Sequence, residues 1–104
     1  MLDQATLAEI VRRIVEVARP EKIILFGSAA RGDMGPNGDV DLLVIRDGGD
    51  ALDLMTRIYG NLHGVGAAVD AIVATPADVE RYKDSHALVF KSALREGRVI
   101  YESR

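Results

Sequence analysis

The chain has 104 residues with Lys+Arg 13 against Asp+Glu 16, a formal net charge of -3, and no cysteine. Its 48% hydrophobic and 28% charged residues describe one globular domain spanning 1–104, and exclude a disordered chain. The same counts exclude a disulfide framework, a thiol nucleophile, a thiolate metal site and a broadly basic nucleic-acid surface, so no direct nucleic-acid binding is expected. Met1-Leu2-Asp3-Gln4 does not open a secretory signal, and no apolar run reaches the ~18 residues of a membrane span, so a cytoplasmic location without membrane contact is expected. The acidic excess lies entirely in the first half of the chain.

Leu7, Ile10, Val11, Ile14, Val17 and Ala18 recur at helical spacing, which predicts an amphipathic helix over residues 4–18 with Thr6 and Glu9 placed for a capping box. Pro20 stops that helix. Lys22 to Phe26 reads as a short buried strand, and the segment from Gly27 to Gly38, rich in Gly, Asn and Pro, reads as a turn and loop. Asp39 to Ile45 reads as a second strand. Val40, Leu42 and Val44 lie on one face and Asp41, Leu43 and Ile45 on the other, so both faces are expected to be covered.

After a turn at Asp47-Gly48-Gly49-Asp50, a helix is expected with Leu52, Met55, Ile58, Tyr59 and Leu62 on one stripe, ended by His63-Gly64-Val65-Gly66. Ala67 to Ala74 reads as the third strand, with Asp70 in its middle. Thr75 and Pro76 are placed to cap and start the next helix, with Asp78 in its first turn. Ser85 reads as the cap of a further short helix closed by Gly97, and Val99 to Tyr101 as a last strand. The order α-β-β-α-β-α-α-β predicts an α/β (α+β) fold: a small mixed sheet with helices packed on it.

The chemistry concentrates in two of these segments. On a strand, residues i and i+2 share a face, so Asp39 and Asp41 project side by side. Like charges that close repel unless a cation lies between them, and Asp is a poor strand former. An all-oxygen donor set suits a hard cation such as Mg²⁺. Gly27 and Ser28 follow the first strand directly. The glycine allows close backbone approach and the hydroxyl offers a donor to an anion. Arg31 can contact phosphate oxygens or pair with Asp33. Asp70 is a charge within a strand. It either pairs with an Arg or Lys or, if its strand lies beside Asp39-Val40-Asp41, completes a three-carboxylate cluster able to hold two metals and a triphosphate. Nothing pairs His63 with His86 as ligands, and Tyr59, Tyr82 and Tyr101 read as packing or interface residues.

Gly27-Ser28, ten residues, then Asp39-Val40-Asp41 resembles the signature of the minimal nucleotidyltransferases (MNT), a branch of the DNA polymerase beta-like nucleotidyltransferase superfamily. Phe26-Gly27-Ser28-Ala29-Ala30-Arg31-Gly32 and the close Leu94-Arg95-Glu96-Gly97-Arg98-Val99-Ile100-Tyr101-Glu102 extend the resemblance over nearly the whole chain. Gly38 departs from the serine common there, which bears on loop geometry more than on chemistry. The resemblance implies a nucleotidyltransferase fold and two Mg²⁺ ions bound by Asp39, Asp41 and Asp70. It also implies a nucleoside triphosphate, ATP, held through Gly27 and Ser28. It further implies a hetero-complex with a HEPN-family ribonuclease toxin, for which the MNT protein is the antitoxin. In that role it either transfers AMP to a toxin hydroxyl or masks the toxin by binding alone.

Overall fold

The computed structural model describes residues 3–32, 39–82 and 93–103. Among the described residues four strands form one mixed sheet in the order β3-β2-β1-β4. The elements are α1 (Gln4–Ala18), β1 (Lys22–Phe26), α2 (Gly27–Arg31), β2 (Val40–Ile45), α3 (Ala51–Asn61), β3 (Val69–Ala74), α4 (Pro76–Tyr82) and β4 (Arg98–Glu102). Strand β1 runs antiparallel to both β2 and β4, whereas β2 and β3 are parallel. A parallel pair needs a long crossover, and α3 provides it.

The apolar spacing of α1 buries Ile10, Ile14 and Ala18. Its cap is Asp3, whose carboxylate accepts from the Ala5 N–H at 3.1 Å, and the Thr6 hydroxyl bonds that same carboxylate. The expected Thr6–Glu9 box is therefore replaced by a cap three residues earlier. Glu9 is instead held by Arg12 and Arg13, which draw its carboxyl down to about 2. Arg19 ends the helix in the left-handed region, at φ 45°, just before Pro20.

Helices α1 and α3 cover one face of the sheet. Ile10, Ile14, Leu54, Ile58 and Leu62 pack there against Ile23, Leu25, Val40, Leu42, Val44 and Ala71. Of the predicted stripe Ile58 and Leu62 are buried, and Leu54, which lies outside it, joins them; Leu52 is 72% exposed and Tyr59 41%. The two helices are tied by a reciprocal clamp: the Asn61 side chain donates to the Arg13 carbonyl at 2.9 Å, and Arg13 donates to the His63 carbonyl at 2.8 Å. A cation at the C-terminal end of α3 also suits the helix dipole.

On the opposite face Ile24, Phe26, Leu43, Ile45 and Ala74 pack with Ala93, against partly buried Val79 of α4 and Leu94. Both faces of β2 are covered, as its sequence predicts. At the start of α4, Thr75 and Asp78 exchange bonds: the Asp78 N–H donates to the Thr75 hydroxyl at 3.0 Å and the Thr75 N–H to the Asp78 carboxylate at 3.1 Å. Thr75→Ala is expected to cost about 1 kcal/mol, read as a lower urea midpoint at unchanged slope. The predicted helix from Ser85 falls mainly outside the described residues. Its end, 93–96, is helical and is closed by the Gly97 N–H on the Ala93 carbonyl. The last strand is present and longer than predicted, with a register shift opposite Ile23 and Ile24.

Candidate active site

The site lies at the sheet end where β1 finishes and β2 and β3 begin. Phe26, the last residue of β1, faces Asp41 across the antiparallel pair. The chain then turns at Gly27, at φ 73°, into the single short helix α2, where the sequence pattern suggested only a turn and loop. A Cβ on Gly27 would collide with the Asp41 carboxylate oxygen Oδ2, so the glycine backbone lies directly against that carboxylate. Phe26 offers no side-chain oxygen to the first N–H groups of α2, and Ser28 is half-buried beside them.

Asp41 pairs in register with Asp70 on the parallel strand β3. The adjacency that three neighbouring carboxylates require is therefore present. Asp70 is not in mid-strand, because β3 starts only at Val69; its side chain is exposed and solvated rather than buried against a cation. Asp39 is exposed and stands immediately before β2. Alternation along β2 places Asp41 on the same face as Leu43 and Ile45. The carboxylates thus continue the line of that face's core beyond its apolar end.

The electrostatics follow from this crowding. Burial pushes the Asp41 carboxyl above its ordinary value, and the negative charges of Asp70 and Asp39 push it further the same way; Arg31 opposes them. Arg31 also forms an exposed ion pair with Glu96 at 3.7 Å. The predicted alternative partner, Asp33, lies outside the described residues, as do Met34, Pro36 and Gly38. Among the described residues no three acidic or histidine side chains close into a metal cage. An all-oxygen pair of strand carboxylates still fits Mg²⁺, which binds through one or two carboxylates and completes its shell with water and substrate phosphate. A groove of about 620 Å³ lies on the other side of α2, between α1 and β4, and none of the three carboxylates lines it.

Two neighbours of the site carry no signal in the sequence. Glu96 reaches Arg31 from the far end of the chain. The Tyr59 hydroxyl lies 3.4 Å from Asp70 Oδ1 and accepts from the Ala71 N–H at 2.8 Å. No spacing rule connects either pair, since both contacts depend on how the helices are laid over the sheet.

The family described as Polymerase beta, Nucleotidyltransferase matches residues 8–104. The chain belongs to this family. It is accordingly a nucleotidyltransferase, with the mixed sheet and flanking helices of that fold. A protein of Methanocaldococcus jannaschii that carries the provisional name protein adenylyltransferase is 36% identical over 85 residues, covering 80% of each chain. A solved structure described as a minimal nucleotidyltransferase, itself provisionally named, is 28% identical with a TM-score of 0.64, covering 93% of this chain and 95% of the other. A toxin-antitoxin crystal structure with AMP-PNP also has a TM-score of 0.64, over 99% of this chain and 76% of that one; at 18% identity it shows the shared fold. No described helix of this nucleotidyltransferase is long and apolar enough to cross a membrane.

Proposed function

We propose that the protein is an Mg²⁺-dependent protein adenylyltransferase that moves AMP from ATP to a hydroxyl of a partner protein. The partner is a HEPN-family toxin and this chain its antitoxin, acting from a single minimal domain, 1–104. The reading rests on the in-register pair Asp41 and Asp70 with the Gly27 backbone packed on Asp41. The adenylyltransferase name of the archaeal relative and the toxin-antitoxin context of the structural neighbour support a protein acceptor. The HEPN identity comes from the sequence resemblance.

In this mechanism Asp39 and Asp41 would hold the metal, with Asp70 beside them. Mg²⁺ bound there, two ions in the full complex, would supply positive charge against that developing on the phosphate oxygens. The backbone at Gly27 and the hydroxyl of Ser28 hold the triphosphate, and Arg31 swings from its exposed pair with Glu96 to a phosphate oxygen. An exposed pair of this kind is worth at most about 1 kcal/mol, so its release is no obstacle. Asp70 orients the acceptor hydroxyl and takes its proton. The hydroxyl oxygen bonds to the α-phosphorus of ATP, the α–β bridging bond breaks, and pyrophosphate leaves. The exposure of Asp39 and Asp70 fits an acceptor as large as a protein surface.

The test is the intact mass of a HEPN partner co-expressed with this chain. The expected result is a gain of whole AMP units, absent when the nucleotidyltransferase is omitted. A partner that is tightly bound but unmodified would overturn catalysis in favour of masking.

A further inference from the structure

We infer that Tyr59 is a positioning residue for Asp70, holding the edge of the sheet at the point where that carboxylate projects. The inference deepens the proposed function and rests on the role given there to Asp70. Among the described residues strand β3 is an edge strand, paired only with β2. Its outer side therefore carries backbone groups that the ladder leaves unpaired. Tyr59 reaches from α3 to that edge and meets both polar groups of one residue. The Ala71 N–H donates to the Tyr59 hydroxyl at 2.8 Å, and the hydroxyl lies 3.2 Å from the Ala71 carbonyl oxygen. That N–H belongs to the peptide joining Asp70 to Ala71, so the bond sets the plane from which the Asp70 side chain leaves.

The single hydroxyl proton has two acceptors in reach, the Ala71 carbonyl and Asp70 Oδ1 at 3.4 Å. The shorter contact takes it on average, and the carboxylate can draw it when Asp70 turns toward the acceptor. Nothing else among the described residues bonds the Asp70 carboxylate. An exposed aspartate at an open edge would otherwise sample several rotamers, and a poorly held reacting group costs rate steeply. Tyr59 is itself 41% exposed, so its ring is not retained as a fully buried core residue. Its hydroxyl is the part of the side chain engaged with the site.

The experiment compares wild type with Tyr59→Phe, which keeps the ring and removes only the hydroxyl. It measures transfer from α-labelled ATP to the partner, thermal midpoint, and hydrogen exchange at the Ala71 amide. The expected result is a fall in kcat of about tenfold, the scale of lost support to a functional ligand, with KM for ATP within twofold. The Ala71 amide exchanges faster while the global midpoint stays within a few degrees. An unchanged kcat overturns the inference, as does a joint loss in kcat and KM accompanied by a collapsed midpoint, which marks a merely structural residue. Wild type that transfers nothing overturns the proposed function itself. Wild type and variant that transfer equally overturn only the role of Tyr59.

Discussion

Asp41→Asn is expected to reduce AMP transfer by about a thousandfold or more while leaving the protein folded. Stabilisation of transition-state charge by a held metal is worth several kcal/mol, and each 1.36 kcal/mol is tenfold in rate. The amide keeps the size of the carboxylate, so the packing against Gly27 is preserved and the loss is chemical. Full labelling of the partner by this variant would sink the assignment of Asp41 as a metal-holding residue.

The same substitution has an opposite expected effect on stability. Burial and the charges of Asp70 and Asp39 raise the Asp41 carboxyl in the folded state. A raised acid binds more protons folded than unfolded, so its ionisation weakens the fold as pH rises above the ordinary value of 3.8 through the folded value. At neutral pH, without divalent metal, wild type carries that penalty. Asp41→Asn does not, and its thermal midpoint at pH 7 is expected to equal or exceed that of wild type. Adding Mg²⁺ should then raise the wild-type midpoint and leave the variant's almost unmoved. A variant less stable than metal-free wild type at pH 7 would show that Asp41 is held by favourable contacts rather than crowded by its neighbours.

This trade of stability for function also explains which features the sequence exposes. Strand β2 begins only at Val40, so alternation places Asp41 but not Asp39, which is legible because it stands two residues earlier. Asp41 is legible because strand alternation is a local rule. The helix α1 is legible for the same reason, through the three- and four-residue recurrence of its apolar side chains. Its cap was less so, because Asp3 and Thr6 both offer oxygens and only the entry path of the chain selects between them. Helix α3 carries apolar residues on two sides. Periodicity within eleven residues picks out Ile58 and Leu62 but could not choose Leu54 over Leu52, Met55 and Tyr59, since the sheet beneath decides. Helix α2 spans five residues, less than any periodicity window, and glycine at its first position reads as a turn.

Register across the crossover is the deeper gap. Asp41 and Asp70 are joined only through α3 and the loops on either side of it, so their pairing is a property of the parallel ladder and not of any local pattern. Glu96 and Tyr59 belong to the same class, brought to the site by tertiary packing alone. The charged residues of the candidate site are therefore readable one at a time, while their mutual placement is not.

Gly27 tests that placement most sharply, and Gly32 supplies its control. Both have positive φ, 73° and 78°, and bracket the same short helix. Alanine at either position meets the backbone penalty of the left-handed region, about 1–2 kcal/mol. At Gly32 a Cβ would enter open space, whereas at Gly27 it would strike Asp41 Oδ2. Gly32→Ala is therefore expected to lower the thermal midpoint by a few degrees and retain most transfer activity. Gly27→Ala adds a collision that either the Asp41 carboxylate or the start of α2 must relieve by moving. Displacement of a reacting group by about 1 Å costs on the order of a hundredfold in rate, and here both the carboxylate proposed to hold metal and the proposed triphosphate cradle are displaced together. The expected loss for Gly27→Ala is at least that, with a midpoint not much below that of Gly32→Ala. Equal activity in the two variants would mean that the close approach of Gly27 to Asp41 has no part in catalysis, and that only the turn itself requires glycine.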